Sequence, residues 1–291
     1  MTLSEYDAVV ISISGGKDSQ TIMDVVMKLA AAQQYGGRII AVHADTGAEW
    51  NESLPHCRML CEHYNIPLNV AVPFRALPDH IERRCQMLFE QGKKGGWPDA
   101  ANRYCTSHCK TNAIEKTIRA GWPSATCRYC TSDCKRNPIQ KDIRHEFPAL
   151  QDKCSILQVT GERRQESRHR AKLPEFDTNK GLTTARRNVI NWRPILDYTL
   201  DEVWNCIKAT GLPRHVAYDR GNERLSCALC VLATENDIRN GAAARPDLVE
   251  RFLKIERETG HTFRHKKSLA QILKMDITDL HRLNGQMELG I

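Results

Sequence analysis

The sequence predicts an α/β fold: a doubly wound parallel sheet, of the adenine nucleotide alpha hydrolase-like type, with a cysteine-rich insertion and a small C-terminal helical appendage. Two observations predict it. Short apolar runs rich in β-branched residues, Ala8 to Ile13, Arg38 to Ala44 and Leu68 to Val72, alternate with stretches of helical apolar spacing. Alternation of this kind places parallel strands in one sheet with helices on its faces. The first two runs also end in polar loops that contain glycine, where open α/β sheets bind their ligands.

The first of these loops is Ser14-Gly15-Gly16-Lys17-Asp18-Ser19, which opens into a helix carrying Ile22, Val25, Val26 and Leu29 on one face. At such a strand-to-helix junction, backbone N–H groups and the positive end of the helix dipole face the loop, and paired glycines let phosphate oxygens approach. Lys17 adds a mobile positive charge. The spacing is that of neither a Walker loop nor a dinucleotide fingerprint. The second run ends in His43-Ala44-Asp45-Thr46-Gly47-Ala48-Glu49, where Asp45 and Thr46 are expected to meet a nucleotide or to cap the next helix. Ser53 to Tyr64 reads as that helix, and Pro78 to Gln91 as another after the third strand.

The pattern then breaks into a duplication within 95–144. Arg103-Tyr104-Cys105-Thr106-Ser107-His108-Cys109-Lys110 recurs as Arg128-Tyr129-Cys130-Thr131-Ser132-Asp133-Cys134-Lys135, each preceded by Gly-Trp-Pro. Two copies are too few for a solenoid, so the repeat reads as a local duplication inside one domain. The second copy alone adds Cys127 and Pro138.

A strand over Ser155 to Thr160 leads into Gly161-Glu162-Arg163-Arg164, with Arg168, His169 and Arg170 close behind, a basic cluster suited to a polyanion. Asn188 to Pro194 reads as the last strand, and Thr199 to Ala209 as a helix with Thr199 and Glu202 forming a capping box. Helices are expected over Arg245 to Glu258 and Ser268 to Leu283, past Cys227-Ala228-Leu229-Cys230. These elements divide into a nucleotide domain over 1–210 and a helical region over 211–291.

The net charge of +7 is uneven: Lys and Arg concentrate in 103–144 and 163–193, and the rest of the chain is net acidic. Basic patches of this kind suit the phosphates of a nucleotide or of nucleic acid. No apolar run reaches membrane-spanning length and no signal-peptide pattern opens the chain, so a cytoplasmic protein is expected. In that compartment twelve cysteines argue for metal or redox use over a disulfide framework. Cys57, Cys61, Cys85 and Cys206 stand in apolar surroundings and are expected to be inert buried thiols.

With these motifs collected, the chain resembles the phosphoadenosine-phosphosulfate reductase family of the ATP pyrophosphatase superfamily. The resemblance rests on Ser-Gly-Gly-Lys-Asp-Ser, on Asp45-Thr46-Gly47-x-Glu49, on Gly161-x-Arg163-Arg164-x-x-Ser167-x-x-Arg170 and on Tyr129-Cys130-x4-Lys135-x-x-Pro138. It implies ATP held by Ser14, Gly15, Gly16, Lys17, Asp18 and Ser19, with His43, Asp45, Thr46, Gly161, Arg163, Arg164 and Arg170 around it. Lys17, Asp18, Asp45, Arg163 and Arg164 would carry the chemistry, and Asp18 or Asp45 would hold Mg²⁺. The stretch after Cys230 has no cysteine, whereas the family's thiol reductases use a late one, so direct sulfate reduction is disfavoured.

The chain is most similar in pattern to the ATP pyrophosphatases of DNA phosphorothioation systems (DndC and SspD type). That likeness implies cleavage of ATP to AMP and pyrophosphate, a DNA phosphate as acceptor, and a cysteine desulfurase as sulfur donor. A phosphoadenylylsulfate or adenylylsulfate reductase, and a non-catalytic ATP-dependent assembly subunit, are the alternatives. Cys130, Cys134, Cys227 and Cys230, with Cys127 as alternative to Cys134, are expected to bind a 4Fe-4S cluster or, failing that, Zn²⁺. Under this expectation the first copy is a bystander, and Cys105→Ser and Cys109→Ser leave the cluster intact.

Overall fold

The computed structural model describes residues 1–120, 154–185 and 187–275. Its backbone forms one six-stranded sheet in the order β3-β2-β1-β4-β6-β5. The strands are β1 (Ala8–Ile13), β2 (Arg38–Ala44), β3 (Leu68–Ala71), β4 (Cys154–Val159), β5 (Phe176–Thr178) and β6 (Arg187–Trp192). All pairings are parallel except that of β5 with β6. The expected parallel sheet is therefore present, with a three-residue antiparallel edge that has no alternating pattern to announce it. Stacking of Phe176 on Trp192, ring planes 6° apart, helps seat that edge.

Alternation along β1 shows why its run is apolar at every position but Ser12. Val9, Ile11 and Ile13 enter one buried cluster with Ile22, Val26, Leu60 and Val203, whereas Ala8 and Val10 enter another with Ala113 and Ile118. Successive side chains point to opposite faces, and helices cover both. The first face carries α1 (Lys17–Ala32), part of α2 (Ser53–His63) and α5 (Leu200–Thr210); the second carries α4 (Asn112–Ala120). Thr199 caps α5 in a capping box with Glu202, as the sequence indicates, and Gly211 ends it in the left-handed region at φ 70°.

The described chain splits into two compact units. The first holds the sheet and its helices: Met1–Ala44, Cys57–Ala71 and Asn112–Pro213. The second gathers Asp45–His56, Val72–Thr111 and the chain from Arg214 onward. This corrects the linear division at 210/211, because much of the second unit comes from before that point. The reason is apolar. Trp50, Leu77, Ile81, Trp97 and Tyr104 bury in one cluster with Ile238, Leu248, Phe252 and Phe263, so they belong to the same core as the late helices.

The second unit contains α3 (Leu77–Glu90), α6 (Val216–Asp219), α7 (Glu235–Ala244), α8 (Pro246–Thr259) and α9 (Leu269–Leu273). Helix α9 begins at the Ser268 cap, but Lys274 takes the left-handed conformation at φ 58° and ends it well before Leu283. Helix α7 escapes the sequence reading because Asn240, Gly241 and a run of alanines blur its apolar spacing. Gly241 is required there, since a Cβ would meet the Ala228 carbonyl oxygen at 1.8 Å. No described helix is long and apolar enough to cross a membrane.

Candidate active site and thiol site

Strand order reverses between β1 and β4, since β2 and β3 lie on one side of β1 and β4, β6 and β5 on the other. The crevice outside the carboxyl ends of those two central strands is where open α/β sheets bind ligands. Both phosphate-directed motifs stand there: Ser14–Ser19 follows β1, and Gly161–Arg170 follows β4.

The loop is closed by its own serine. Ser19 Oγ donates to the Gly16 carbonyl at 2.8 Å and accepts from Ser14 N–H at 3.2 Å. Gly15 takes φ 77°, a left-handed conformation that glycine adopts without strain. Gly16 is the extended N-cap of α1, so the first amides of that helix lack intrahelical acceptors and are available to an anion. Lys17 is only 4% exposed, a correction to its reading as a mobile charge, and its Nζ lies 3.4 Å from Asp18 Oδ2.

Gly161 brings the second loop against the first. A Cβ there would stand 3.0 Å from the Asp18 carbonyl carbon and oxygen, so a side chain would require the neighbouring backbone to give way by a few tenths of an ångström. Arg163 then donates from Nε to Asp18 Oδ1 at 2.6 Å. The other basic residues are also tethered. Arg164 donates to Asp197 at 2.6 Å and to the carbonyls of Ala171 and Leu173, and Arg170 pairs with Glu166. Arg193, which the sequence reading passed over, is 7% exposed and donates to Glu162, Asp177 and the Pro174 carbonyl. The cluster expected to close over a polyanion is, as it stands, a frame of charge-assisted bonds that shapes the loop.

His43 is 2% exposed, with Nδ1 3.1 Å from the Ile13 carbonyl and 3.6 Å from Cys57 Sγ. It braces the end of β1 beneath the loop, a different place from the ligand contact expected of it. Burial pushes the Cys57 thiol up to about 12 and Cys61 to about 11, which fits their reading as inert. The same holds for Cys85, pushed up to about 12.

In the second unit, Asp45 to Glu49 forms a closed turn. Asp45 accepts from Gly47 N–H at 3.1 Å, Gly47 sits at φ 78°, and the Glu49 carboxylate accepts from Thr46 N–H at 2.9 Å and from the Thr46 hydroxyl at 2.8 Å. Thr46 is fully buried by this arrangement. Glu49 reaches further. Lys110 Nζ lies 3.3 Å from its Oε1, and Cys227 Sγ donates to the same oxygen at 3.8 Å. A backbone bond of 2.8 Å from Ala228 N–H to the Ala48 carbonyl fixes the Cys-x-x-Cys loop to the turn.

Cys105 to Thr111 winds as a π-helix, a rare form that recurs at functional sites. Its backbone repeats from i to i+5, so Lys110 comes round over Cys105, whereas an α-helix would carry it to the opposite flank. Cys109 is buried in the same cluster as Ala228 and Leu229, with Cys105 and Cys227 packed against that cluster. Burial pushes the Cys105 thiol up and Cys109 up to about 11. Burial also raises Cys227, opposed by Lys110; Cys227 and Glu49 in turn hold Lys110 in its charged form. Among the described residues no group of three His, Cys, Asp or Glu side chains converges as a ready site for a single metal ion. Cys127, Cys130 and Cys134 lie outside the described residues.

Comparison with known proteins places the chain in a family. The model of the phosphoadenosine phosphosulfate reductase domain matches residues 8–233. The chain belongs to that family. Relatives include an uncharacterised protein of Methanocaldococcus jannaschii, 25% identical over 250 residues that cover 86% of this chain and 42% of the relative. Another is the adenosine 5'-phosphosulfate reductase of Burkholderia cepacia, 32% identical over 87 residues, 30% of this chain and 31% of that protein. The chain thus spans less than half the length of either relative. Among solved structures, the phosphoadenylyl-sulfate reductase of Candida auris gives a TM-score of 0.43 at 13% identity, covering 75% of this chain and 80% of that one. A tRNA thiolase of Methanococcus maripaludis with its 4Fe-4S cluster gives 0.40 at 14% identity, with 87% and 72% covered.

Proposed function

We propose that this family member cleaves ATP to AMP and pyrophosphate so as to activate an acceptor oxygen for sulfur incorporation, with a DNA backbone phosphate as the acceptor. The observation that carries the reading is the position of Ser14–Ser19 at the point where strand order reverses, with its glycines, helix N-terminus and buried lysine in one place. The first amides of α1 and Lys17 bind the β and γ phosphates, and Arg163, through Asp18, holds the loop in register.

The acceptor oxygen attacks the α phosphorus, the bond to the β phosphate breaks, and pyrophosphate leaves with its charge offset by the amides and Lys17. Asp18, expected to hold Mg²⁺, has one oxygen on Arg163 and the other near Lys17, and Asp45 accepts from its own turn. Neither stands as an open metal ligand. A persulfide from a cysteine desulfurase then attacks the acceptor phosphorus and AMP leaves. A second thiol takes the donor-side sulfur of the remaining S–S bond as a disulfide, which releases the phosphorothioate.

Measured pyrophosphate release, with and without DNA and desulfurase, tests the reading. AMP and pyrophosphate in equal amounts, rising with DNA, are expected; ADP and phosphate overturn it. The partial likeness to adenosine 5'-phosphosulfate reductases favours one second reading. Sulfite release from an activated sulfate in the presence of a thiol reductant supports that alternative. Tight ATP binding with no pyrophosphate release indicates an assembly subunit.

A further inference from the structure

The arginines around the loop after β4 are held: Arg163, Arg164, Arg170 and Arg193 each meet a carboxylate. A second group of cations differs. Arg75, Arg83 and Arg84 have no carboxylate partner among the described residues, although Asp79 and Glu82 stand between Arg75 and Arg83 in the sequence. The reason is Arg251 on α8. It lies 2.7 Å from Asp79 and donates to Glu82 at 3.1 Å, so both acids in the first turns of α3 are already committed. All of these residues belong to the second unit.

The three arginines gather around one histidine. The His80 ring stands 5.0 Å from that of Tyr104 and 5.7 Å from that of His108, and the Arg84 guanidinium carbon lies 5.1 Å from the centre of the Tyr104 ring. Burial, with His108, Arg75, Arg84 and Arg83 nearby, pushes the His80 pKa down, so the charges of all four bear on that one ring. Arg84 Nε is buried and has no hydrogen-bond acceptor among the described residues. A buried donor left in that state is satisfied by an incoming acceptor, and a phosphate oxygen supplies one with charge. Beside the cations stands an aromatic ring. Phe74 directly precedes Arg75 and is 98% exposed, more than any other large apolar side chain among the described residues.

We propose that Phe74, Arg75, Arg83 and Arg84, with His80 and His108 beside them, form a docking site for single-stranded DNA. The arginines take its phosphates, which guanidinium forks match in pairs of hydrogen bonds, and Phe74 lies under one base. An exposed ring stacks on a base whose face is open, so a single strand fits and a duplex does not. The choice of DNA rests on the acceptor reading above; the site itself rests on the uncommitted charges and the bare ring.

The experiment is fluorescence anisotropy of the full chain with a labelled oligothymidine long enough to span one site, repeated across salt concentrations. Phe74→Ala should weaken binding by about 5- to 100-fold, the scale of one lost stack, and Phe74→Trp should restore it. The double variant Arg75→Gln/Arg83→Gln should lower the slope of log affinity against log salt by about 1.4, two phosphate contacts at about 0.7 each. Lys254→Gln, which removes a charge from α8 instead, should leave affinity and slope as they are. Because Phe74 packs in no core, its two variants decide the question even where the arginine changes lower stability. Unchanged affinity in Phe74→Ala overturns the proposal, as does equal affinity for the duplex. Binding of phosphatidylserine vesicles or oligouridine with no binding of oligothymidine overturns it too. Pyrophosphate release is read separately. DNA binding that depends on Phe74, without pyrophosphate release, leaves the docking site standing and overturns the ATP reading; pyrophosphate release without such binding does the reverse.

Discussion

The phosphate loop and the thiol site are built in opposite ways. Six consecutive residues make the loop, and its shape comes from backbone: a left-handed Gly15, an extended Gly16 and the first turn of α1. The thiol site is assembled from three distant stretches that share one carboxylate, Glu49. Changes in the loop should therefore act on chemistry more than on stability, and changes around Glu49 on the integrity of the second unit. Each substitution below tests that division.

The largest effect is expected from Lys17→Met, which keeps the length of the side chain and removes its charge. Pyrophosphate release should fall by roughly 100-fold or more, the scale typical of one lost transition-state contact. Melting temperature measured alongside should drop only slightly; a large drop with proportionate loss of activity would make Lys17 a structural residue and break the contrast.

An effect of the opposite kind belongs to His215. Its Nδ1 accepts from Ala217 N–H, its Nε2 lies 3.2 Å from Ser53 Oγ, and burial, with His56 and Arg220 nearby, pushes its pKa down to about 4. The unfolded chain, with a histidine near 6.5, takes up a proton first as pH falls. Stability is therefore full above about 6.5 and declines until pH reaches about 4, by at most about 3 kcal/mol. Urea melts across that range should show the decline in the wild type, and His215→Asn, which preserves a capping acceptor, should flatten it. An unchanged slope in the variant would remove His215 as the cause.

Gly161→Ala is expected to cost about 1–3 kcal/mol, because the new methyl stands 3.0 Å from Asp18 backbone that must give way to admit it. It should also lower ATP cleavage, since the contact displaced is with the first turn of α1. Full activity in a destabilised variant would detach the loop after β4 from the catalytic step. The smallest effect is that of Glu49→Gln, about 1 kcal/mol, which keeps the shape and weakens the bonds from Thr46 and Lys110. Hydrogen exchange should speed at 45–49 and 105–110 together; faster exchange at one segment alone would mean that Glu49 does not join them.

The same contrast explains what could be read from the sequence. The strands β1 and β2 were legible because both faces are buried and their apolar runs are nearly continuous. The capping box at Thr199 was legible because a cap is local. The phosphate loop was legible for the same reason. What stayed hidden depends on distant partners. Arg163 looked like an anion contact because its carboxylate, Asp18, lies 145 residues away in the chain. Nothing in the spacing of Cys105, Cys109 and Lys110 announces a π-helix, and nothing near Cys227 points to Glu49. The edge strand β5 was missed because three residues are too few to show a period.

The π-helical winding has a further consequence, in the currency of insertions and deletions. A turn that closes from i to i+5 holds one residue more than an α-turn, so its geometry depends on segment length as well as on residue type. Loss of a single residue between Cys105 and Cys109 would restore α-helical winding and change the angle between the two cysteines, though every remaining side chain were kept. Both copies of the duplication preserve the same three-residue interval between their cysteines. Length in this stretch is thus part of the information the segment carries, and related chains should vary there by substitution and not by gaps.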